Sequence, residues 1–293
     1  MCGICGAYQA SGDERVTKQA FERMIEAITH RGPDSGASMI DSTVGLMLGH
    51  RRLSIMDLSE AGSQPMTSES GRYVIVYNGE IYNHLELRDI LTASHEAPRW
   101  RGHSDNETLL ACFEVWGVER TLKATVGMFA IALWDREQQE LFLARDRLGE
   151  KPLYYGWQGG FFLFGSDLAA LKAHPAFRAE VDRGALALLF RHNAIPAPYS
   201  IFRGIRKLEP GTFAKIKLNG DSHQDSTPSR YWSLDEAIAA GRRGPFPGTA
   251  EEAIDAMEAQ LSETVRAQLL SDVPVGAFLS GGVDSSLIVS LMQ

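Results

Sequence analysis

The sequence has few cysteines, no long apolar run and no excess of basic charge. Three cysteines in 293 residues are too few for a disulfide framework, and a reducing cytoplasm is therefore the expected location. The longest apolar runs, Met128 to Trp134 and Ala185 to Phe190, are far shorter than the ~20 residues of a membrane helix. The first residues lack a basic region followed by an apolar stretch, so we expect neither a secretory signal nor a membrane partner.

Charge and composition exclude two further classes of protein. The formal net charge is −8, from 29 Lys and Arg against 37 Asp and Glu, which argues against a nucleic-acid partner held by a basic surface. Apolar residues make up 44% and charged residues 23% of the chain, as in globular proteins and unlike disordered ones. At about 150 residues per domain, the length predicts about two domains.

No metal site is expected from the sequence. The eight histidines have neither paired spacing at i and i+4 nor partnering cysteines. Each is therefore interpreted as a surface histidine or as a hydrogen-bonded histidine of the core.

Short strands with helices between them predict an α+β fold for the first two thirds of the chain. Turns too short for a crossover helix separate most of these strands, and this spacing favours antiparallel pairing. Helices are predicted around Phe21 to Ile28 and from Ser104, where Ser104 to Glu107 has the pattern of a capping box. The expected strands are Arg72 to Tyr77, Met128 to Asp135, Glu140 to Asp146, Phe161 to Gly165 and Thr212 to Leu218.

The domain organisation follows from where the apolar periodicity fades. We expect one domain over residues 2–218, a linker over 219–250 that is rich in Gly and Pro near its end, and the start of a second domain over 251–293. In the last segment, Thr249 to Glu252 predicts a capping box that opens a helix. Val273 to Leu279 predicts a buried strand, and Ser286 to Met292 predicts another helix. The chain stops within this apolar helical pattern, so the second domain is expected to be incomplete.

Cys2 is a candidate nucleophile. Removal of Met1 would leave a thiol and a free α-amino group on one residue, and an uncharged amine of pKa about 7.7–8.0 can accept the thiol proton. Alone, Cys2 is better explained as a small residue that merely permits Met1 removal. Cys2 and Cys5 have the spacing of a redox pair, but no strand precedes them. Cys5 and Cys112 are expected to be small hydrophobic core residues.

Several further motifs accompany Cys2 and give the first 218 residues a specific resemblance. Together they resemble the class II glutamine amidotransferase domain, an N-terminal-nucleophile αββα sandwich of two antiparallel sheets, and specifically its asparagine synthetase branch. The motifs, in chain order, are Met1-Cys2-Gly3-Ile4, His30-Arg31-Gly32-Pro33-Asp34, Arg52-Leu53-Ser54-Ile55, Tyr77-Asn78-Gly79-Glu80-Ile81-Tyr82-Asn83, Ser104-Asp105 and Arg145-Asp146-Arg147-Leu148-Gly149-Glu150-Lys151-Pro152-Leu153-Tyr154-Tyr155.

The resemblance implies roles for individual residues. Cys2 would attack the glutamine carboxamide, and Asn78 with Gly79 would form the oxyanion hole, although Asn-Gly alone is more often a hairpin turn. Arg52 would bind the α-carboxylate, and Asp105 with Glu80 the α-ammonium, although Asp105 alone reads as a residue at a helix N-terminus. The pocket lining would include Leu53, Ser54, Ile55 and Met56. We expect Arg31, Asp34, Arg145 and Asp146 to form structural ion pairs.

A second glycine-rich loop lies near the end of the chain. It lacks the Gly-x-x-x-x-Gly-Lys motif of P-loop enzymes. Its Ser-Gly-Gly-x-Asp-Ser pattern instead resembles the pyrophosphate loop of ATP pyrophosphatases, whose domain is α/β and related to the adenine nucleotide α-hydrolases. This resemblance implies bound ATP with Mg²⁺ near Asp284, whereas an ordinary strand-to-helix turn is the alternative. The residues implied in ATP binding are Phe278, Leu279, Ser280, Gly281, Gly282, Val283, Asp284, Ser285 and Ser286.

Both halves together resemble glutamine-dependent asparagine synthetase. That family implies glutamine hydrolysis in the first domain, aspartate adenylation in the second, and small-molecule partners glutamine, aspartate and ATP, while a homodimer is left open. Three alternatives are an amidotransferase for another carboxylate, an N-terminal-nucleophile acylase or peptidase, and a non-catalytic relic. The acceptor pocket would lie beyond residue 293, so the sequence does not separate the first alternative from the synthetase.

Overall fold

The computed structural model describes residues 2–9, 14–218 and 227–293, and these residues form two six-stranded antiparallel sheets. The first sheet has the strand order β10-β8-β9-β1-β3-β2, and the second has the order β12-β11-β7-β6-β5-β4. The strands are β1 (Gly3–Tyr8), β2 (Ser35–Asp41), β3 (Leu46–Arg52), β4 (Met66–Thr67), β5 (Tyr73–Ile81), β6 (Gly127–Asp135), β7 (Glu140–Arg145), β8 (Tyr154–Gln158), β9 (Phe161–Gly165), β10 (Arg206–Lys207), β11 (Thr212–Lys217) and β12 (Ser229–Arg230).

Alternating side chains of each strand bury both faces of the two sheets. In β5, Val74 and Val76 pack into the core between the sheets, whereas Ile75 and Tyr77 pack under the helices outside. A strand period of two residues produces this division, because successive side chains point to opposite faces. The strand β1 divides in the same way, with Ile4 in the central core and Cys5 on the outer face.

A helix layer covers the outer face of each sheet. On the first sheet, Phe21 and Met24 pack beside Leu171, and on the second sheet Leu87 packs beside Leu109. The order of layers is therefore helix, sheet, sheet, helix, as expected from the sequence. The helices of the described residues are α1 (Glu14–Glu26), α2 (His84–Ala93), α3 (Asp105–Ala124), α4 (Leu168–Ala173), α5 (Arg183–His192), α6 (Leu234–Arg243), α7 (Ala250–Gln268) and α8 (Val283–Met292). None of them is long and apolar enough to cross a membrane.

The strand predictions are confirmed within a few residues in the second sheet and are incomplete in the first. The sequence predicted β5, β6, β7, β9 and β11, and the largest difference is that β5 continues through Asn78 and Gly79. It did not predict β1, β2 or β3. Interior glycines such as Gly6, Gly36 and Gly49 weaken the strand pattern there. Side-chain atoms of Ile28 and Arg31 occupy the space beside Gly3, and the side chain of Arg51 occupies the space beside Gly36.

Part of the region predicted as a linker, residues 229–231, packs against the sandwich. Strand β12 pairs with β11, and Tyr231 is buried beside Phe129, with its hydroxyl donating to the carbonyl of Arg145 at 2.8 Å. Helix α6 follows, and α7 begins with the predicted capping box of Thr249 and Glu252, which is confirmed. The first part of the predicted linker, residues 219–226, lies outside the described residues.

The predicted buried strand over residues 273–279 is wrong. The segment has no regular structure, and Phe278 is 100% and Leu279 is 62% exposed. A strand requires a neighbour to accept and donate its backbone hydrogen bonds, and the described residues place no strand beside this segment. The following helix forms and begins at Val283, earlier than the predicted Ser286.

Asp146 organises the turn after β7. Its carboxylate is fully buried and accepts hydrogen bonds from the backbone amides of Phe129 (3.2 Å), Leu148 (3.2 Å), Glu150 (2.9 Å) and Lys151 (3.0 Å). The four amides satisfy a buried charge that would otherwise be costly.

The structural ion pairs expected at Arg31, Asp34, Arg145 and Asp146 are replaced by contacts with the backbone. Arg31 donates to the carbonyl of Cys2, and Asp34 accepts from the amide of Ser54. Arg145 donates to the carbonyls of three residues of the neighbouring loops. These charged groups therefore stabilise the loops at the strand ends. They do so by hydrogen bonds to backbone amides and carbonyls that are not paired within a sheet.

We predict that Asp146→Ala lowers the free energy of unfolding by about 3 kcal/mol or more, because it leaves buried amides without an acceptor. Chemical denaturation measures the change. Asp89→Ala removes an exposed carboxylate of α2 and is the matched control, with an expected change within about 0.5 kcal/mol. Equal stability of the two variants would contradict this role of Asp146.

Candidate active site

A cavity of about 100 Å³ lies at one end of the sandwich, where the two sheets meet. Cys2 stands immediately before β1, and Arg52 is the last residue of β3, the neighbouring strand of the same sheet. Asn78 and Gly79 come from β5 in the opposite sheet, and Asp105 begins α3. The cavity thus brings together five residues that the sequence singled out from four separate segments.

Cys2 is half-buried at the edge of the cavity. The backbone amide of Leu53 donates to the Cys2 Sγ at 3.4 Å, and the thiol lies 3.6 Å from the Leu53 carbonyl. Burial raises the pKa of the Cys2 thiol, and the Leu53 hydrogen bond and the Arg52 charge only partly oppose this effect. The thiol is therefore protonated at neutral pH, and a nucleophilic role requires a base.

Asn78 and Gly79 lie within strand β5 and not in a hairpin turn. Asn78 is 1% exposed, and its side-chain Nδ2 is buried without a hydrogen-bond partner. Gly79 pairs with Phe129 in β6, and a Cβ at Gly79 would lie 2.1 Å from the carbonyl oxygen of Met128. Close approach of the two strands therefore requires glycine at position 79, and the Asn78 amide is an unused donor at the cavity that Cys2 also lines.

Arg52 is held by a loop that follows it in sequence. Its guanidinium donates to the carbonyl oxygens of Ser59 at 3.0 Å, of Met56 at 3.4 Å and of Asp57. Gly62 lies against the guanidinium, since a Cβ there would be 2.4 Å from Nη2. The loop thus fixes a buried positive charge at the cavity wall.

Asp105 places a buried carboxylate on the opposite wall. Its Oδ2 accepts from the Tyr77 hydroxyl at 2.8 Å and from the Ile81 amide at 2.9 Å. Burial raises the pKa of Asp105, and the two hydrogen bonds and the nearby His84 lower it in part. A cationic ligand group in the cavity would favour the ionised form.

The other predicted lining residues divide into two groups. Leu53, Ile55, Met56 and Glu80 line the cavity. Ser54 does not, and its backbone amide donates to Asp34 Oδ2 at 2.7 Å, which turns this part of the loop toward solvent.

Three lining residues that sequence reasoning missed carry buried polar atoms without partners. These atoms are His50 Nε2, Ser104 Oγ and Asn106 Nδ2. Burial lowers the pKa of His50 to about 3, so its imidazole is neutral. Buried polar atoms normally have partners, and a cluster of unpaired ones around one cavity indicates a site for a polar ligand or ordered water.

Ser104 shows why the sequence did not reveal this cluster. It is the residue before α3, but its hydroxyl makes no capping hydrogen bond, so the predicted capping box is wrong. The Glu107 carboxylate instead accepts from the backbone amides of Arg101 at 2.8 Å and Gly102 at 3.1 Å. The hydroxyl of a serine that the sequence predicted to cap a helix therefore lies unpaired at the cavity.

Lys151 and Glu80 also line the cavity. Lys151 is 6% exposed, and burial lowers its pKa while the carboxylate of Glu80 raises it. Burial raises the pKa of Glu80, and Lys151 opposes that shift. In the sequence, the only indication of a role for Lys151 was its position in the motif that begins at Arg145. Its burial and its nearness to Glu80 depend on the fold.

The residues predicted to bind ATP form a separate, exposed loop. Gly281 has φ of +78°, and Gly282 precedes α8 without a side-chain cap. Ser280 Oγ lies 3.0 Å from Ser285 Oγ. Successive amides at a helix N-terminus are suited to phosphate oxygens, whereas the exposed Phe278 forms no base pocket with the described residues.

Within the part of the chain that the structure describes, no group of three or more His, Cys, Asp or Glu side chains is arranged to hold a metal ion.

Two family models match the chain. The model described as a glutamine amidotransferase domain matches residues 1–232, and the model described as asparagine synthase matches residues 256–293.

Curated relatives match along nearly the whole chain. The chain is 37% identical to glutamine-hydrolysing asparagine synthetase 3 of Bacillus subtilis over 99% of its own length and 45% of the relative. It is 35% identical to glutamine-hydrolysing asparagine synthetase 1 of the same organism over 100% of its own length and 44% of the relative. The chain therefore spans about half the length of the curated relatives it matches.

A solved structure supports the fold. Glutamine phosphoribosylpyrophosphate amidotransferase from B. subtilis superposes with a TM-score of 0.56 at 18% identity, covering 80% of this chain and 50% of that one. The similarity confirms the predicted N-terminal-nucleophile sandwich, and at this identity it concerns the fold alone.

We predict that a small alkylating reagent such as iodoacetamide modifies Cys2 before Cys5 and Cys112. Cys2 is half-buried in an open cavity, whereas the other two cysteines are 0% exposed. The labelling rate should increase as the pH rises through the raised pKa of the Cys2 thiol, because the thiolate is the reactive form. Peptide mass spectrometry locates the label, the Cys2→Ala variant is the control, and first labelling at Cys5 would contradict the prediction.

Proposed function

The chain belongs to the family of glutamine amidotransferase domains, and from this we propose that its first domain hydrolyses glutamine to glutamate and ammonia with Cys2 as the nucleophile. The observation that carries the proposal is the unpartnered Asn78 amide in the same cavity as the Cys2 thiol. Arg52 and Asp105, which have opposite charges, line that cavity as well, as an amino acid substrate requires.

The reaction begins with removal of the thiol proton. After loss of Met1, the uncharged α-amino group of Cys2 accepts the proton, and the thiolate attacks the carboxamide carbon of glutamine. The carbon–sulfur bond forms as the carbonyl π electrons move to oxygen. Because burial raises the pKa of the Cys2 thiol, the thiol needs a base to form the thiolate. The α-amino group of the same residue is the base in this proposal.

Asn78 stabilises the tetrahedral intermediate in this proposal. Its Nδ2 donates to the oxyanion, together with the backbone amide of Gly79. When the oxyanion collapses, the carbon–nitrogen bond breaks, the protonated Cys2 amine returns its proton to the leaving nitrogen, and ammonia departs. Water then hydrolyses the thioester to glutamate and restores the thiol.

The charged groups of the cavity recognise the amino-acid end of glutamine. Three of the five guanidinium N–H groups of Arg52 bond loop carbonyls, and the others are proposed to bind the α-carboxylate. Asp105 and Glu80 bind the α-ammonium, whose charge keeps Asp105 ionised despite its burial. We also assign Ser104, Asn106 and His50 to hydrogen bonds with the bound substrate or with water around it.

For the whole protein we propose glutamine-dependent synthesis of asparagine. The support is the asparagine synthase match of residues 256–293 and the names of the relatives. Ammonia released in the first domain would attack an adenylated aspartate side chain and give asparagine, AMP and pyrophosphate. A cytoplasmic location is proposed with it.

Residues 278–286 fit one part of an ATP site. Their glycines and the start of α8 suit phosphate oxygens, and Asp284 in the first turn of α8 is the one carboxylate of the loop. A single exposed carboxylate does not make a Mg²⁺ site, so the described residues alone do not fit the metal. Mg²⁺ is proposed only as the ion that accompanies ATP in the whole protein.

We predict that Cys2→Ala abolishes glutaminase activity and that Asn78→Ala lowers kcat by about 10²–10³-fold with little change in KM. Glutamate release measures both effects, and circular dichroism checks that the variants fold. Cys112→Ala, which removes a thiol away from the cavity, is the control and should stay active. Full activity of Cys2→Ala would refute the mechanism, and a rise in KM alone for Asn78→Ala would exclude an oxyanion role.

For the whole protein, we predict that ATP, glutamine and aspartate together give AMP and asparagine. The test incubates the protein with ATP, glutamine and each of a panel of carboxylate acceptors, and chromatography identifies the nucleotide and the amidated product. ADP in place of AMP would contradict an adenylate. Amidation of a sugar or peptide acid in place of aspartate would identify the alternative amidotransferase.

A further inference from the structure

The segment that follows α7 is hydrogen-bonded to the loop beside the cavity. The Asp272 carboxylate accepts from the backbone amide of Asp57 at 2.6 Å. In return, the Asp272 amide donates to the carbonyl of Ile55 at 3.0 Å, and Ser271 Oγ lies 3.5 Å from the same carbonyl. Residues 271–272 therefore hold the outer side of the loop whose residues Ile55 and Met56 line the cavity.

The same loop holds Arg52 on its inner side. The carbonyl of Asp57 accepts from the guanidinium of Arg52, and the amide of Asp57 donates to Asp272. Asp57 has φ of +51°, which is unusual for a residue with a side chain, and its carboxylate is bound by Ser59 within the loop. The position of the Arg52 charge thus depends on a peptide segment that Asp272 fixes from outside.

His103 joins this loop to the other wall of the cavity. Its Nε2 lies 2.7 Å from Asp272 Oδ2, and its backbone amide donates to Asp57 Oδ2 at 3.0 Å. Two residues later, Asp105 begins α3. One carboxylate, Asp272, therefore contacts both the loop that holds Arg52 and the segment that leads to Asp105.

The charges around His103 favour its protonated form. The hydrogen bond to Asp272 raises the pKa of His103, the Asp57 charge raises it further, and partial burial and Arg88 lower it. The charge of His103 in turn lowers the pKa of the neighbouring His84. The His103 bond in turn lowers the pKa of Asp272. The ion pair is therefore complete between the lowered pKa of Asp272 and the raised pKa of His103, and it weakens as the pH rises through the pKa of His103.

We propose that His103 and Asp272 are positioning residues that set the affinity for glutamine by fixing Arg52 relative to Asp105. The inference rests on the proposed glutaminase function. Among the described residues, neither His103 nor Asp272 lines the cavity. The pair acts on the recognition of the α-carboxylate and α-ammonium and not on the attack at the carboxamide.

The test measures glutaminase kinetics of this chain against pH for Asp272→Asn and His103→Gln. Below the pKa of His103, each variant should raise KM on the order of fivefold with little change in kcat, since the contact is partly exposed and worth about 1 kcal/mol. The double variant should be no worse than Asp272→Asn alone, because His103→Gln removes only a contact with Asp272 that this variant has already lost. The wild-type KM should rise as the pH passes the pKa of His103, and this step should disappear in Asp272→Asn.

Controls separate positioning from damage to the fold. Asp272→Glu keeps the charge and should restore the pH step, while Asp255→Asn removes an exposed carboxylate of α7 and should leave KM unchanged. NMR titration of the His103 imidazole should give a lower pKa in Asp272→Asn than in the wild type. Circular dichroism verifies that each variant is folded.

The outcomes distinguish the two levels of the proposal. Wild-type chain without glutaminase activity would refute the proposed function, and this inference with it. Active wild type with an unchanged KM in the folded variants would overturn the inference alone, as would a loss of kcat at constant KM.

Discussion

The packing of β1 and β3 against β5 across the sandwich determines the composition of the cavity. The two sheets are joined by apolar side chains in the central core, including Ile4 and Leu48 from one sheet and Val76 from the other. Because Cys2 stands just outside that core, immediately before β1, the contact places it at the same cavity as Asn78. The hydrophobic core of the sandwich therefore positions polar groups that have no mutual attraction of their own.

The same packing leaves polar atoms buried and unpaired around the cavity. Asn78, Ser104 and Asn106 each carry such an atom, which costs folding free energy unless a ligand or water supplies the partner. Among the described residues, four of the seven buried side-chain atoms without a partner belong to residues that line this one cavity, and the other three belong to Arg31, Arg147 and His174. The buried carboxylate of Asp146, by comparison, is satisfied by backbone amides. This concentration of unpaired atoms is the physical support for a binding site at the end of the sheets.

Asp272 connects the cavity with the last segment of the chain. It binds the loop at Asp57 and precedes the glycine loop that begins at Ser280. The loop that holds Arg52 is therefore also held by a residue of this last segment. The exposed state of Phe278 shows that this segment lacks partners among the described residues.

The sequence by itself determined the fold class, most strands of the second sheet and nine of the residues that line the cavity. Alternation in β5 and the motifs around Cys2, Arg52 and Asp105 depend on neighbouring residues, so they can be read from the chain. The tertiary structure alone decided that Ser104 has no capping role, that residues 273–279 form no strand and that His103 meets Asp272. Each of these depends on the three-dimensional surroundings, because a hydroxyl, a strand edge or an ionisable group takes its role from the groups that the fold places beside it.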